Sequence, residues 1–360
     1  MSLKALAFFL CTLWLCGFFP VDDPRDSGHG TDVCKKGFGI RRLLILAWSL
    51  VLAVYPPLFF LDLFHHTGIS EAESDRLSTV MPWFICIASQ FVISAIARLF
   101  AMVNAGKLVQ LIRKMHPLKL NAIDEARDNR VKWRLRHLFW LVYVGLSASD
   151  GLNIARHLVK SENPIQGLDL FLLPNVSDTW RTLIYHFIFT TINSTPILLF
   201  HFILTFGSDL IQVHQSLCAE LCKLLVKGRI ARSEKFRTTE SYWEVHKQAS
   251  GLHERFRRMK ECFKIYEHLV GAYAFCLVWW IFVAIVTVFS SVTAGGLPKA
   301  HVLNYGIWSV AFIYMVASFG DYMTRSVDQG TEVISDTLSE VGGPKYFEDE
   351  TQVMTVTIFQ

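Results

Sequence analysis

The stretch that decides the fold is residues 269–294, which read LVGAYAFCLVWWIFVAIVTVFSSVTA and contain no charged side chain. A helix of about 20 mostly apolar residues is long enough to cross the ~30 Å hydrocarbon core of a bilayer. Five more segments have a similar length and character: 43–61, 80–103, 137–154, 182–206 and 302–323. Soluble core helices are rarely this apolar on every face. The sequence therefore predicts an all-α, polytopic membrane protein with six transmembrane helices.

The composition of the 360-residue chain agrees with this prediction. Charged residues make up 18% of the chain and hydrophobic residues 52%, whereas soluble domains contain about 25% charged residues. The many apolar and aromatic residues exclude a disordered chain. A shorter apolar run, residues 5–19, is predicted to be a packed N-terminal helix, with a secretory signal peptide as the alternative.

Basic residues are concentrated in alternate connecting segments, which predicts the orientation of the chain. Segments 104–136 and 207–267 are rich in Lys and Arg, whereas the intervening loops contain few basic residues. Because Lys and Arg accumulate in cytoplasmic loops, the N-terminus is predicted to lie in the cytoplasm of a multi-pass plasma-membrane protein. The sequence Asn175-Val-Ser is a glycosylation motif in a loop predicted to lie outside, so Asn175 is predicted to be glycosylated.

The predicted organisation alternates membrane and cytosolic parts: a cytoplasmic segment 1–42, helices one to four within 43–206, a cytosolic helical extension 207–267, helices five and six within 268–323, and a cytoplasmic tail 324–360. In the extension, apolar residues recur every three or four positions: Tyr242, Val245, Ala249, Leu252, Phe256, Met259, Phe263 and Tyr266. This spacing predicts a helix that runs unbroken into span five and pairs antiparallel with the continuation of span four, which is predicted to break near Gly228. Two interpretations of this apolar helix face stay open. It either holds subunits together or packs within a helical hairpin of one chain.

Polar residues inside the predicted spans follow helical faces near the outer ends of those spans. Because such residues are costly in a membrane, they are candidates for a ligand pocket. The candidates are Trp83, Gln90, Asp150, Asn153, His157, His186, Thr190, Asn193, Tyr305 and Trp308. The alternative is that they form hydrogen bonds between helices. Arg98, near the inner end of span two, is predicted to extend its guanidinium towards the interface.

The sequence contains no motif of an enzyme, a metal site or a phosphate-binding loop. The protein is therefore predicted not to be an enzyme, and to need neither a metal nor another cofactor. The basic loops follow from the topology, so they do not indicate nucleic-acid binding.

A resemblance to a known family lies in the N-terminal segment. The apolar stretch that ends in Gly17-Phe18-Phe19-Pro20 is similar to the Gly-hydrophobic-Phe-Pro ending found in the insect gustatory receptors. The predicted cytoplasmic N-terminus and the long extensions of spans four and five also resemble that family. The resemblance implies a ligand-gated cation channel that detects a small tastant, works as a homo- or heterotetramer with other receptor subunits and is embedded in membrane lipids.

The resemblance also implies a seventh, pore-lining span that ends in Thr-Tyr-x5-Gln-Phe. The tail after residue 323 does not contain it, and we expect the chain to be truncated before that helix. Two other kinds of membrane protein are alternatives, a G-protein-coupled receptor and a secondary transporter. The distribution of basic residues is opposite to that of the receptor, and no pair of broken helices indicates the repeats of a transporter.

Overall fold

A computed structural model describes residues 40–67, 74–120, 167–233, 239–294 and 299–341, together with six isolated positions between 137 and 152. The side chains at some helix ends are not described. The predicted N-terminal helix at 5–19, almost all of predicted span three and the tail beyond 341 lie outside the described residues.

The described residues form six α-helices, and no strand occurs among them. We number the helices in chain order: α1 Ile40–Thr67, α2 Ser74–Val103, α3 Ala105–Leu120, α4 Asp178–Ser233, α5 Thr239–Ala294 and α6 Lys299–Val341. This result confirms the predicted all-α class. Prolines within the charge-free runs do not end the helices, because α1 continues through Pro56 and Pro57 and α4 continues through Pro196.

Three helical segments are long and apolar enough to cross a membrane: Leu46–His66, Asp178–Lys227 and Lys247–Ser290. A fourth candidate is the pair Ala88–Val103 and Ala105–Leu118, whose two parts meet at an angle of 61°. These segments overlap four of the six predicted spans. Predicted spans three and six include positions that the structure does not fully describe, and they stay predictions.

Helices α4 and α5 are each 56 residues long. At about 1.5 Å per residue each measures roughly 84 Å, which is far more than the ~30 Å that a membrane-crossing segment needs. The predicted continuity of the 242–266 segment with span five is therefore confirmed. The predicted break near Gly228 is wrong, because α4 continues to Ser233. A single glycine costs a helix only about 1 kcal/mol, which neighbouring turns offset.

The chain folds into two compact units, each assembled from segments that are distant in sequence. Unit 1 consists of residues 1–106, 133–203 and 270–317, and unit 2 consists of residues 107–132, 204–269 and 318–360. Helices α4, α5 and α6 each contribute residues to both. Unit 1 contains the segment 167–177 and the residues of the candidate site.

In unit 2, α4 and α5 are antiparallel neighbours. Arg255 donates two hydrogen bonds to Glu220, at 2.5 and 3.1 Å. The backbone of Gly207 lies against the ring of Tyr266. Residue numbers therefore rise along α4 as they fall along α5, which confirms the predicted antiparallel pairing.

The predicted subunit-assembly residues lie in the interior of unit 2 where the structure describes them. Leu252, Phe256 and Met259 are 5–6% exposed within the single chain, and Phe263 is half-buried. The side chains of Tyr242 and Val245 are not described. These contacts correspond to the intrachain hairpin, and a role of this helix in joining subunits stays a prediction.

Candidate functional site

A cluster of aromatic and aliphatic side chains forms the core of unit 1. It is built from α1, α2, the start of α4 and the 167–177 segment, and its buried members are Phe59, Phe60, Phe91, Leu170, Leu173, Ile188 and Ile192. Partly buried Tyr55, Tyr185 and Phe189 pack against them. We call this set the aromatic cluster.

The rings of the aromatic cluster touch one another in tilted and edge-on pairs. Phe60 and Phe91 have ring centroids 4.7 Å apart, and Phe91 meets Phe189 edge-on at 5.5 Å. Tyr185 lies 4.5 Å from Phe189 and 6.5 Å from Phe59. Such pairs stabilise a core by about 0.5–1.5 kcal/mol beyond the burial of their area. The cluster therefore combines packed aromatic rings with two phenol groups, those of Tyr55 and Tyr185.

The 167–177 segment covers one side of the aromatic cluster and is held there by Asp62 of α1. The backbone N–H groups of Phe171 and Leu172 donate to the two carboxylate oxygens of Asp62, at 3.2 and 2.9 Å. Arg181 of α4 donates to the carbonyl of Leu168. Asn175, the predicted glycosylation site, is exposed and has a positive φ of 58°, a conformation that Asn tolerates better than most residues.

Replacing Asp62 with Ala is expected to release the 167–177 segment, because two backbone donors lose their acceptor. The expected cost is about 1–3 kcal/mol locally. Amide hydrogen exchange at Phe171 and Leu172 should therefore accelerate at least about tenfold. Asp169→Ala is the matched control, since the side chain of Asp169 is exposed and makes no hydrogen bond among the described residues. Unchanged exchange in Asp62→Ala would contradict this role.

Two predicted pocket residues are buried and are next in sequence to members of the aromatic cluster. Gln90 is 3% exposed and adjoins Phe91 in α2, and its amide nitrogen has no hydrogen-bond partner among the described residues. His186 is 9% exposed, and its ring meets that of Tyr185 at 5.3 Å. A buried amide N–H without an acceptor is destabilising by about 1–3 kcal/mol. Gln90 therefore has the properties of a group that a polar ligand would satisfy.

The other predicted pocket residues have varied environments. Thr190 is exposed, and Asn193 is half-buried. Trp308 is half-buried, and its ring lies so close to Gly145 that a Cβ there would be 2.7 Å from Cη2 of the indole. The side chains of Trp83, Asp150, Asn153, His157 and Tyr305 lie outside the described residues. The structure thus shows that Gln90 and His186 are buried, and a pocket role stays a prediction for all ten residues.

Sequence reasoning missed the environment of Arg98. It is fully buried, so the prediction that its guanidinium extends to the interface is wrong. Its Nη1 donates to the carbonyl and hydroxyl oxygens of Ser94 and to Thr195 Oγ1, and its Nη2 donates to the carbonyl of Thr191 at 3.0 Å. Ser94 and Thr195 are themselves joined, with 2.8 Å between their hydroxyl oxygens. We call Arg98, Ser94, Thr191 and Thr195 the Arg98 network.

The Arg98 network joins α2 to α4. On α2, its residues Ser94 and Arg98 follow Gln90 by about one and two helical turns. A guanidinium is the side chain best suited to this position, because its five N–H donors satisfy several acceptors at fixed angles. The sequence does contain a signal for this network. Thr191 and Thr195 are four positions apart and therefore share a face of α4, and Arg98 is a charged residue in the apolar part of α2.

The described residues contain no group of three or more His, Cys, Asp or Glu side chains placed to hold a metal ion. Neither the models of known protein families nor the sequences of curated proteins match this chain.

Proposed function

We propose that this chain is a subunit of a ligand-gated cation channel of the gustatory receptor type, which detects a small tastant in the plasma membrane. The observation that carries the proposal is the aromatic cluster together with the buried, unsatisfied amide of Gln90, the residue that precedes Phe91 in α2. Ligand sites combine apolar and aromatic walls with a few polar groups that fix orientation. This combination suits a small molecule with both apolar and hydrogen-bonding surface.

The position of the aromatic cluster along the helices supports this function. Its α4 members, Tyr185, Ile188, Phe189 and Ile192, belong to the beginning of a helix that continues for about 40 residues more. With the orientation predicted from the basic residues, the cluster is in the outer half of the membrane and the far ends of α4 and α5 are in the cytosol. A ligand that binds at the cluster therefore contacts a helix whose later residues are expected to reach the cytosol.

Whole-cell recording tests the proposal. In cells that express this chain together with receptor subunits that contain the pore-lining helix, sucrose or quinine is expected to evoke an inward current, which disappears when N-methyl-D-glucamine replaces the external cations. A response that survives this replacement, or an N-terminal epitope that is labelled on intact cells, would contradict the channel and favour a G-protein-coupled receptor.

A variant of the site connects the current with the aromatic cluster. Gln90→Leu keeps a similar volume but removes the amide, so it is expected to raise the half-maximal concentration of the active compound at least about tenfold, as for the loss of one buried hydrogen bond. Phe187→Leu is the matched control, because Phe187 is on α4 and is 51% exposed. Equal effects of the two substitutions would exclude the cluster as the binding site.

A further inference from the structure

We propose that Lys107, Lys264 and His268 of unit 2 form a binding site for a phosphate-bearing anionic lipid headgroup at the cytosolic surface of the membrane. The placement of these residues at that surface depends on the membrane orientation given under the proposed function. The binding itself depends only on the geometry of α3 and α5.

The centre of the site is a close contact between two basic side chains. Lys107 Nζ lies 2.7 Å from His268 Nε2. Because an ammonium has donors and no acceptor, Lys107 donates and the imidazole nitrogen accepts. Lys107 keeps its other N–H donors, and both side chains are exposed. A positive charge next to an imidazole, rather than next to a carboxylate, is attractive to an external anion.

Lys264 extends this surface by one helical turn. It precedes His268 by four positions, so the two side chains share a face of α5. Its side chain is exposed, and among the described residues neither Lys264 nor Lys107 is within ion-pair distance of a carboxylate. Two ammonium groups and an imidazole thus face solvent along one edge of the contact between α3 and α5.

Three basic residues farther from the apolar runs differ, because carboxylates of the same chain already pair with them. Lys114 lies 2.5 Å from Glu261, and Arg257 and Arg258 bind Glu254 at 2.7 and 2.9 Å. Lys114 is two turns, about 10 Å, beyond Lys107 on α3. Two carboxylates thus pair with these three side chains, whereas no carboxylate among the described residues pairs with Lys107 or Lys264, whose charges remain available to an external anion.

Position along the chain indicates a lipid as the source of the phosphate. Lys107 follows the apolar run 80–103 by one turn, and His268 immediately precedes the charge-free run 269–294. Both residues are thus expected at the depth of lipid phosphates. Anionic lipids of the cytosolic leaflet attract basic residues at this depth. A soluble phosphate carries the same phosphate group as a lipid headgroup, so the experiment has to distinguish these two sources.

Thermal unfolding of the full chain in a neutral detergent tests the site. Dioctanoyl phosphatidic acid is expected to raise the unfolding midpoint, whereas dioctanoyl phosphatidylcholine and inorganic phosphate are not. The double variant Lys107→Gln with Lys264→Gln is expected to need at least about tenfold more phosphatidic acid for the same shift. An equal shift with inorganic phosphate would overturn the assignment to a lipid.

The control variant is Lys247→Gln, an exposed lysine of α5 about 30 Å from the start of the apolar run. It should respond to phosphatidic acid like the unaltered protein, and so should Lys107→Arg with Lys264→Arg, which keeps both charges. A double Gln variant that keeps the full response, or a Lys247→Gln variant that loses it, would overturn the site. Since the altered side chains are exposed, the midpoints without lipid should agree.

A separate labelling experiment distinguishes failure of the site from failure of the membrane orientation. Gln110 is exposed on α3, and Gln110→Cys is expected to react with an impermeant maleimide only after cells are permeabilised. Reaction on intact cells would overturn the cytosolic placement of the site and the orientation together. Cytosolic labelling without a lipid response would overturn the site alone.

Discussion

The combined substitution Ser94→Ala with Thr195→Val is expected to destabilise the protein by about 2–4 kcal/mol. The two hydroxyl groups accept hydrogen bonds from the Arg98 guanidinium, which is fully buried. Their removal leaves a buried cation with fewer acceptors, and a buried charge is far more costly to leave unsatisfied than a neutral group. The unfolding midpoint of the protein in detergent measures the effect.

A double-mutant cycle separates the contribution of the guanidinium from that of the hydroxyl groups. In an Arg98→Met background, the same two hydroxyl substitutions are expected to cost at least about 1.5 kcal/mol less, because no buried charge loses its acceptors. The comparison uses only the difference between the two backgrounds, so the effect of Arg98→Met itself does not enter.

The matched control for the cycle is Thr190→Val, a substitution of the same kind on an exposed position of α4. It should change the midpoint little in either background, as surface substitutions usually do. Equal costs of the hydroxyl substitutions with and without the guanidinium would show that the Arg98 network is not the cause of the instability.

The local sequence predicted the helices well because their causes are local. The charge-free run 269–294 and the three-and-four spacing of residues 242–266 are properties of neighbouring residues, and α5 combines both in one helix. The same applies to α4, where only the end was misplaced. Helix α3 was not predicted, because its short amphipathic pattern lay within a segment interpreted as a basic loop.

The environment of Arg98 was not predictable in the same way, because two of its acceptors, on Thr191 and Thr195, are 93 and 97 positions away. A charged residue near the end of a span has two ways to avoid unsatisfied burial: reaching water or finding acceptors inside. The position of Arg98 near the end of a predicted span indicated that it could reach water. Only the packing of α2 against α4 shows that it finds acceptors inside the protein. Gln90 and His186 were selected as pocket candidates because polar residues are rare in apolar helices, and the structure shows that both are buried.

The interior of unit 2 leads to the second large expected effect, which is at Gly207. This residue lies where α4, α5 and α6 meet, against the phenol ring of Tyr266 and the ring of Phe319. A Cβ at position 207 would be 2.7 Å from Cζ of Phe319 and 3.1 Å from Cζ of Tyr266. Gly207→Ala is therefore expected to separate the helices and destabilise the protein by about 1–3 kcal/mol, despite the higher helix propensity of alanine.

Gly251→Ala is the matched control, because Gly251 is exposed in the middle of α5 and a Cβ there would meet no atom within 4 Å. Alanine at this position should stabilise the helix by up to about 1 kcal/mol. The two glycine substitutions are thus expected to shift the unfolding midpoint in opposite directions, although their chemistry is identical. If Gly207→Ala also raised the midpoint, the close approach of the three helices at position 207 would be wrong. A Phe319→Leu substitution provides an internal check, since it removes one of the two crowding rings and should reduce the cost of alanine at position 207.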